Sequence, residues 1–139
     1  MMLLTAIVLP LEAPASGKTG AIRSEKANVN GVTLNYLRAG KGDKTPIVLV
    51  HGFAQTSRMW RPILEELGHD RIVIAPDLRG LGDSSKPAGG YDKKTAAEDI
   101  YTLVKSLGLT RVQIVGHDIG LMVAYSFAIR ILKQSKNSC

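Results

Sequence analysis

Three short runs of apolar, mostly β-branched residues frame this chain: Ile47 to Val50, Arg71 to Ala75 (apolar after its Arg) and Val112 to Val115. Each reads as a strand buried on both faces, the pattern of a parallel sheet covered by helices. Stretches with helical spacing separate the runs. Trp60/Leu64 and Ile63/Leu67 are i,i+4 pairs, with Pro62 in the first turn and Gly68 as the stop. Ala96, Ile100, Leu103, Val104 and Leu107 share one helical face that Gly108 closes. Ile119 to Leu132 is apolar on nearly every side and predicts a buried helix. Upstream, Asn30-Gly31 is a two-residue hairpin signal, followed by the alternation of Val32, Leu34 and Tyr36 with Thr33 and Asn35. The order is hairpin, strand, helix, strand, helix, strand, helix. It predicts an α/β fold: a mostly parallel sheet with an N-terminal hairpin and helices on both faces.

The domain limits follow from composition. Residues 1–24, rich in Ala, Pro, Ser, Gly and Thr, read as leader and linker. Residues 25–132 form one core domain, and residues 133–139 a polar tail. Leu3 to Leu11 is too short to span a bilayer as a helix. Followed by Ala13-Pro14-Ala15, it also has the form of a clipped signal segment. Residues 1–15 therefore leave two locations open, cytoplasm or export. The net charge of +6 is scattered, and only 5% of residues are aromatic. Nucleic-acid binders concentrate basic charge and interleave it with aromatic rings, so no nucleic-acid partner is expected. Cys139 is the sole cysteine and excludes an internal disulfide. No motif calls for a metal or a cofactor.

Chemistry concentrates at Gly116-His117-Asp118-Ile119-Gly120, between a strand and an apolar helix. That is the setting of a nucleophile elbow, Gly-x-Nuc-x-Gly. The nucleophile sits in a strained, tight turn, and side chains two residues to either side would collide with strand and helix. A carboxylate is already ionised at pH 7 and needs no base to attack. It can displace a leaving group on an sp³ carbon and form an ester, which water then cleaves with an oxyanion hole and a general base. A plain helix cap at Asp118 and a dinucleotide loop compete with this reading. The dinucleotide fingerprint Gly-x-Gly-x-x-Gly is absent. His51-Gly52-Phe53 follows the first buried strand, where this kind of fold supplies one oxyanion N–H; the residue after the nucleophile supplies the other. The donors would be the backbone N–H groups of Phe53 and Ile119. A third segment runs from Asp77-Leu78-Arg79-Gly80-Leu81-Gly82 to Pro87. Gly80 and Gly82 permit a tight loop, which Asp77 and Arg79 are expected to hold by hydrogen bonds and an ion pair.

Together these segments resemble the α/β-hydrolase superfamily, in its epoxide hydrolase and haloalkane dehalogenase branch, from about Ala27 to about Ala128. The resemblance implies the N-terminal part of an α/β-hydrolase fold. It also implies a small-molecule substrate, an epoxide or alkyl halide, attacked by Asp118. Dehalogenases of the branch commonly carry Trp after the nucleophile and often Asn after His-Gly. Here those positions are Ile119 and Phe53. Fluoroacetate dehalogenases carry Arg one and four residues after the nucleophile, where this chain has Ile119 and Met122. Both departures favour an epoxide hydrolase-like enzyme over a haloalkane or haloacid dehalogenase-like one. The usual His-Gly-x-Pro is His51-Gly52-Phe53-Ala54, which predicts a less firmly set oxyanion loop.

The family order is nucleophile, acid, histidine. No His, Asp or Glu occurs among the residues after Asp118. Of the histidines, His51 belongs to the oxyanion loop, His69 to a turn, and the side chain of His117 should point away from the site. The expectation is a truncated hydrolase that forms the ester without turning over. A non-catalytic fragment or interaction subunit is the alternative of another class. Val112 to Val115 would then be an unprotected sheet edge, prone to self-association.

Overall fold

The structure, a computed structural model, describes residues 21–136. Of the leader and linker expected over residues 1–24, residues 1–20 lie outside them, and Arg23 and Ser24 already belong to the first strand. Strands β1 (Arg23–Val29) and β2 (Val32–Ala39) form the hairpin, and Asn30 and Gly31 both take positive φ (46° and 78°) in its two-residue turn. Then come β3 (Lys44–Val50), a single 3-10 turn (Ser57–Trp60), α1 (Arg61–Leu67), β4 (Arg71–Pro76), α2 (Lys93–Ser106), β5 (Gln113–Gly116) and α3 (Ile119–Lys136). The sheet order is β1-β2-β4-β3-β5. β4, β3 and β5 run parallel, and the hairpin joins antiparallel through β2. This is the expected α/β architecture. α3 reaches Lys136, past the boundary expected at Leu132.

The central strand distributes its side chains by the two-residue period of a strand. Ile47 and Leu49 face Leu64 of α1 with Val73 and Ala75. Val48 and Val50 face Ala97, Ile100 and Val104 of α2 and Val123 and Phe127 of α3. Helices therefore cover both faces, one on one side and two on the other. The hairpin closes the end of the core, with Leu34 and Tyr36 against Leu103 of α2.

Two elements are less buried than their composition suggests. β5 turns Ile114 inward but leaves Val115 45% exposed, so it is covered on one face, not both. α3 buries Val123, Ala124 and Phe127 while Leu121, Met122 and Tyr125 face outward. It is a one-sided helix with an apolar outer face, not a buried one. The reason is position: β5 is an outer strand of the described sheet, and among the described residues α3 packs chiefly against β3, β5 and α2. Composition reports how apolar a helix is but not how many neighbours it has.

Candidate active site

β5 ends at Gly116 and α3 begins at Ile119, so His117 and Asp118 alone turn the chain. Asp118 has φ +53°, a left-handed conformation that costs energy for a residue with a Cβ and is least unfavourable for Asn and Asp. The turn closes through Gly120 N–H to His117 O (2.8 Å) and Leu121 N–H to Asp118 O (3.0 Å). The glycine rule holds atom by atom. A Cβ on Gly116 would overlap the Gly120 carbonyl, and one on Gly120 would strike the carbonyls of Val50 and His51 at the end of β3. The carboxylate is thereby presented in the open beyond the C-terminal ends of the parallel strands. That is where open α/β sheets place their ligands.

Both expected donors reach it. The Phe53 N–H donates to Asp118 Oδ2 at 2.9 Å across 65 residues of sequence. Together with the Ile119 N–H, it holds the carboxyl below its ordinary range, so Asp118 is ionised at neutral pH. The loop that carries Phe53 is tied to its surroundings by hydrogen bonds through His51 and Gly52. His51 is fully buried, and its Nε2 accepts the Leu78 N–H at 3.0 Å. Its proton is therefore on Nδ1, which donates to Gly52 O at 2.9 Å. Burial pushes the His51 pKa down, against the opposing pull of the Gly52 carbonyl and the Asp77 charge, so the ring is neutral. Gly52 C=O and Phe53 N–H are opposite ends of one planar peptide. Fixing the carbonyl on His51 fixes the direction of the N–H toward Asp118.

Gln55 is a residue that the sequence did not single out. Its Oε1 accepts the Gly52 N–H at 3.0 Å and lies 3.2 Å from His117 Nδ1. His117 thus leans on the loop that carries Phe53 and Gln55.

Asp77 and Arg79 hold their loop, but through separate partners. Asp77 accepts from Ser57 N (2.6 Å), Asn35 Nδ2 (3.0 Å) and Asp83 N (3.0 Å). Burial raises its pKa, but these donors outweigh burial and leave it lowered. Gly80 and Gly82 both take positive φ, and Gly82 sits directly against the Asp77 carboxylate. Arg79 makes a two-pronged ion pair with Asp99 of α2, Nε–Oδ2 2.6 Å and Nη2–Oδ1 2.5 Å, and Asn30 of the hairpin turn joins Asp99 at 2.7 Å. Asp99 was also not singled out, although a signal was present. It neighbours Ile100 on the buried face of α2, and an acid there implies a partner.

A cleft of about 340 Å³ opens beside Asp118, lined by Phe53, Leu78, Leu81, Ile119 and Val123 among others. Arg79 and Lys93 also border it, the charge of Arg79 being matched by Asp99. A larger groove of about 500 Å³ lies between α2 and α3 near Leu109 and Val112, at the other end of β5, and none of the candidate residues lines it. Among the described residues no group of three or more His, Cys, Asp or Glu could hold a metal ion. No described helix is long and apolar enough to cross a membrane.

The sequence model of the alpha/beta hydrolase fold matches residues 45–136. The soluble epoxide hydrolase of Corynebacterium sp. (strain C12) is 47% identical over 107 residues, covering 77% of this chain and 37% of that protein. The fluoroacetate dehalogenase of Burkholderia sp is 36% identical over 107 residues, covering 73% and 34%. The solved structure of the epoxide hydrolase CorEH without ligand aligns with a TM-score of 0.74 at 46% identity, over 78% of this chain and 38% of that one. The chain spans little more than a third of the length of these relatives. Fold, elbow and relatives agree: the chain belongs to the alpha/beta hydrolase fold family, in its epoxide hydrolase-like branch.

Proposed function

We propose that Asp118 is the nucleophile of an epoxide-opening reaction. The observation that carries this is the Phe53 N–H at 2.9 Å from Asp118 Oδ2, on a residue strained to φ +53°. With Oδ2 held, Oδ1 attacks a ring carbon. A C–O bond forms, the ring C–O bond breaks, and its electron pair goes to the epoxide oxygen, which then takes a proton. The product is a hydroxyalkyl ester of Asp118. Water attack on the ester carbonyl would place negative charge on Oδ2, the oxygen to which the Phe53 N–H donates, with the Ile119 N–H as the second donor to the carboxyl in this reading.

The 139-residue chain by itself stops at the ester in this reading. Hydrolysis needs a base, and no histidine of this chain stands ready as one. His51 has both ring nitrogens engaged. His117 leans on Gln55. His69 lies in the turn before β4, at the opposite end of the sheet from the elbow. A haloacid substrate is the second reading, prompted by the fluoroacetate dehalogenase relative. The cleft wall flanking Asp118 is apolar, from Phe53, Ile119 and Val123, which supports an uncharged substrate instead, while the Lys93 cation lines the cleft from α2. Ile119 and Met122 offer no cation for a carboxylate.

Intact mass measurement after incubation with styrene oxide tests this directly. The expected result is one adduct per chain, heavier by the whole epoxide, mapped to Asp118 and absent from Asp118→Asn. Repeated diol release would refute the block at the ester. Halide release from fluoroacetate with no epoxide adduct would favour the haloacid reading.

A further inference from the structure

The peptide that aims Phe53 has two anchors, and His51 is only one. Gln55 is half-buried and plays no part in the ester chemistry, yet it grips Gly52 twice. Its Oε1 accepts the Gly52 N–H at 3.0 Å, and its own N–H donates to Gly52 O at 3.3 Å. The same Oε1 stands 3.2 Å from Nδ1 of His117, the residue before Asp118. The loop and the elbow are in close contact here. A Cβ on Gly52 would lie 2.6 Å from Gln55 Oε1, 2.8 Å from His117 Nδ1 and 3.1 Å from Asp118 Cβ. Between Phe53 and Gln55, Ala54 is held at φ +52°, an uncommon state for a residue with a Cβ and no side-chain polar group. The bonds from Gln55 to Gly52 are the ones that close the loop around it.

We propose that Gln55 is a positioning residue for the nucleophile: its amide clasps the oxyanion loop to the elbow and keeps the Phe53 N–H aimed at Asp118 Oδ2. Gln55 does not touch the substrate. It acts through Gly52 and His117, and it stands in for the loop anchor that the Ala54 position lacks. Released, Ala54 is free to leave the left-handed region, and the carboxylate loses one fixed orientation. As a step in catalysis, the inference rests on Asp118 being the nucleophile.

Gln55→Met keeps length and packing but removes the acceptor, and Gln55→Glu restores it. Two readouts on the 139-residue chain are needed: the rate of styrene oxide adduct formation, and hydrogen exchange at the Phe53 amide. Gln55→Met is expected to slow adduct formation about tenfold or more, as loss of orientation does, and to speed Phe53 exchange several-fold. Gln55→Glu should bring both back near the original values. Gln55→Ala, which adds no bulk, should repeat the loss, so misfolding of one variant leaves the other to decide. Rate and exchange unchanged in Gln55→Met would overturn the proposal. So would an impaired Gln55→Met that Gln55→Glu does not rescue, since Glu keeps both the shape and the acceptor for the Gly52 N–H. If the parent chain forms no adduct but Phe53 exchange still follows the acceptor, the clasp stands and the nucleophile reading fails.

Discussion

In the proposed reaction the two N–H groups on Asp118 serve both halves. In ester formation they hold the carboxylate still, the Phe53 N–H at Oδ2, and in hydrolysis they would take up its charge. Their placement depends on backbone atoms that leave no room, and substitutions can test that. Gly120→Ala would drive a methyl into the carbonyls that end β3. A loss of about 3 kcal/mol or more is expected, at or above the top of the range for overpacking because backbone cannot step aside, read from the urea midpoint. Gly89→Ala is the control: nothing lies within 4 Å of its Cβ, and a change of no more than about 0.5 kcal/mol is expected. His51 gives a pH test. Its folded pKa is lowered by burial, so the unfolded chain binds more protons as pH drops below about 6.5. Stability should therefore fall from about pH 6.5 downward, before the carboxylates titrate, and His51→Gln should flatten that slope in denaturant titrations. The turn at Gly116, Asp118 and Gly120 was legible in the sequence because it is a local pattern with a steric cause, and the approach of Phe53 followed only from its loop coming directly after the first buried strand. Gln55 was not legible, because its role depends on His117, 62 residues away.

At the scale of elements, the loop between β4 and α2 is joined to the rest of the fold by ions. Arg79 comes from the loop, Asp99 from α2 and Asn30 from the hairpin turn, so three segments meet at one carboxylate. The side chains of Arg79 and Asp99 are 7% and 1% exposed. Removing one partner of such a buried pair strands the other, at a cost of about 3–5 kcal/mol, whereas removing both costs much less. Asp99→Asn and Arg79→Met should each destabilise by that order, and the double variant by clearly less than their sum. A thermal double-mutant cycle measures the coupling, and additive losses would mean the pair is not a unit. The sequence placed Arg79 in this loop and foresaw an ion pair, but the partner lies 20 residues on, in a helix. The helices themselves were legible where propensity and packing agree. α2 carries its buried face at Ala96, Ile100, Leu103 and Val104, as its spacing predicts. α3 was misjudged because the same apolar content serves a helix enclosed on all sides and one covered on a single side.

For the whole molecule, most of the exposed large apolar side chains lie on β5 and α3. β5 pairs with β3 alone among the described strands, and its other edge offers backbone N–H and C=O groups with Val115 alongside. On α3, Leu121 and Tyr125 are 63% and 68% exposed. An unpaired edge beside apolar side chains is the usual template for strand addition between chains. The opposite end of the sheet is protected differently. β1 is also an outer strand, but its exposed positions carry Arg23, Ser24 and Lys26, which blunt an edge. We therefore expect the 139-residue chain on its own to associate through β5, not through β1. Full burial of a side chain such as Val or Leu is worth about 1.5–3 kcal/mol, and each 1.4 kcal/mol is tenfold in affinity. Val115→Lys should therefore raise the dissociation constant by about tenfold or more in sedimentation velocity, and Leu121→Lys should add to it if α3 shares the contact. Lys26→Val, on β1, should leave the distribution of species unchanged. A chain that sediments as a monomer at tens of micromolar, with or without these substitutions, would show that β5 is protected by its own twist and shortness.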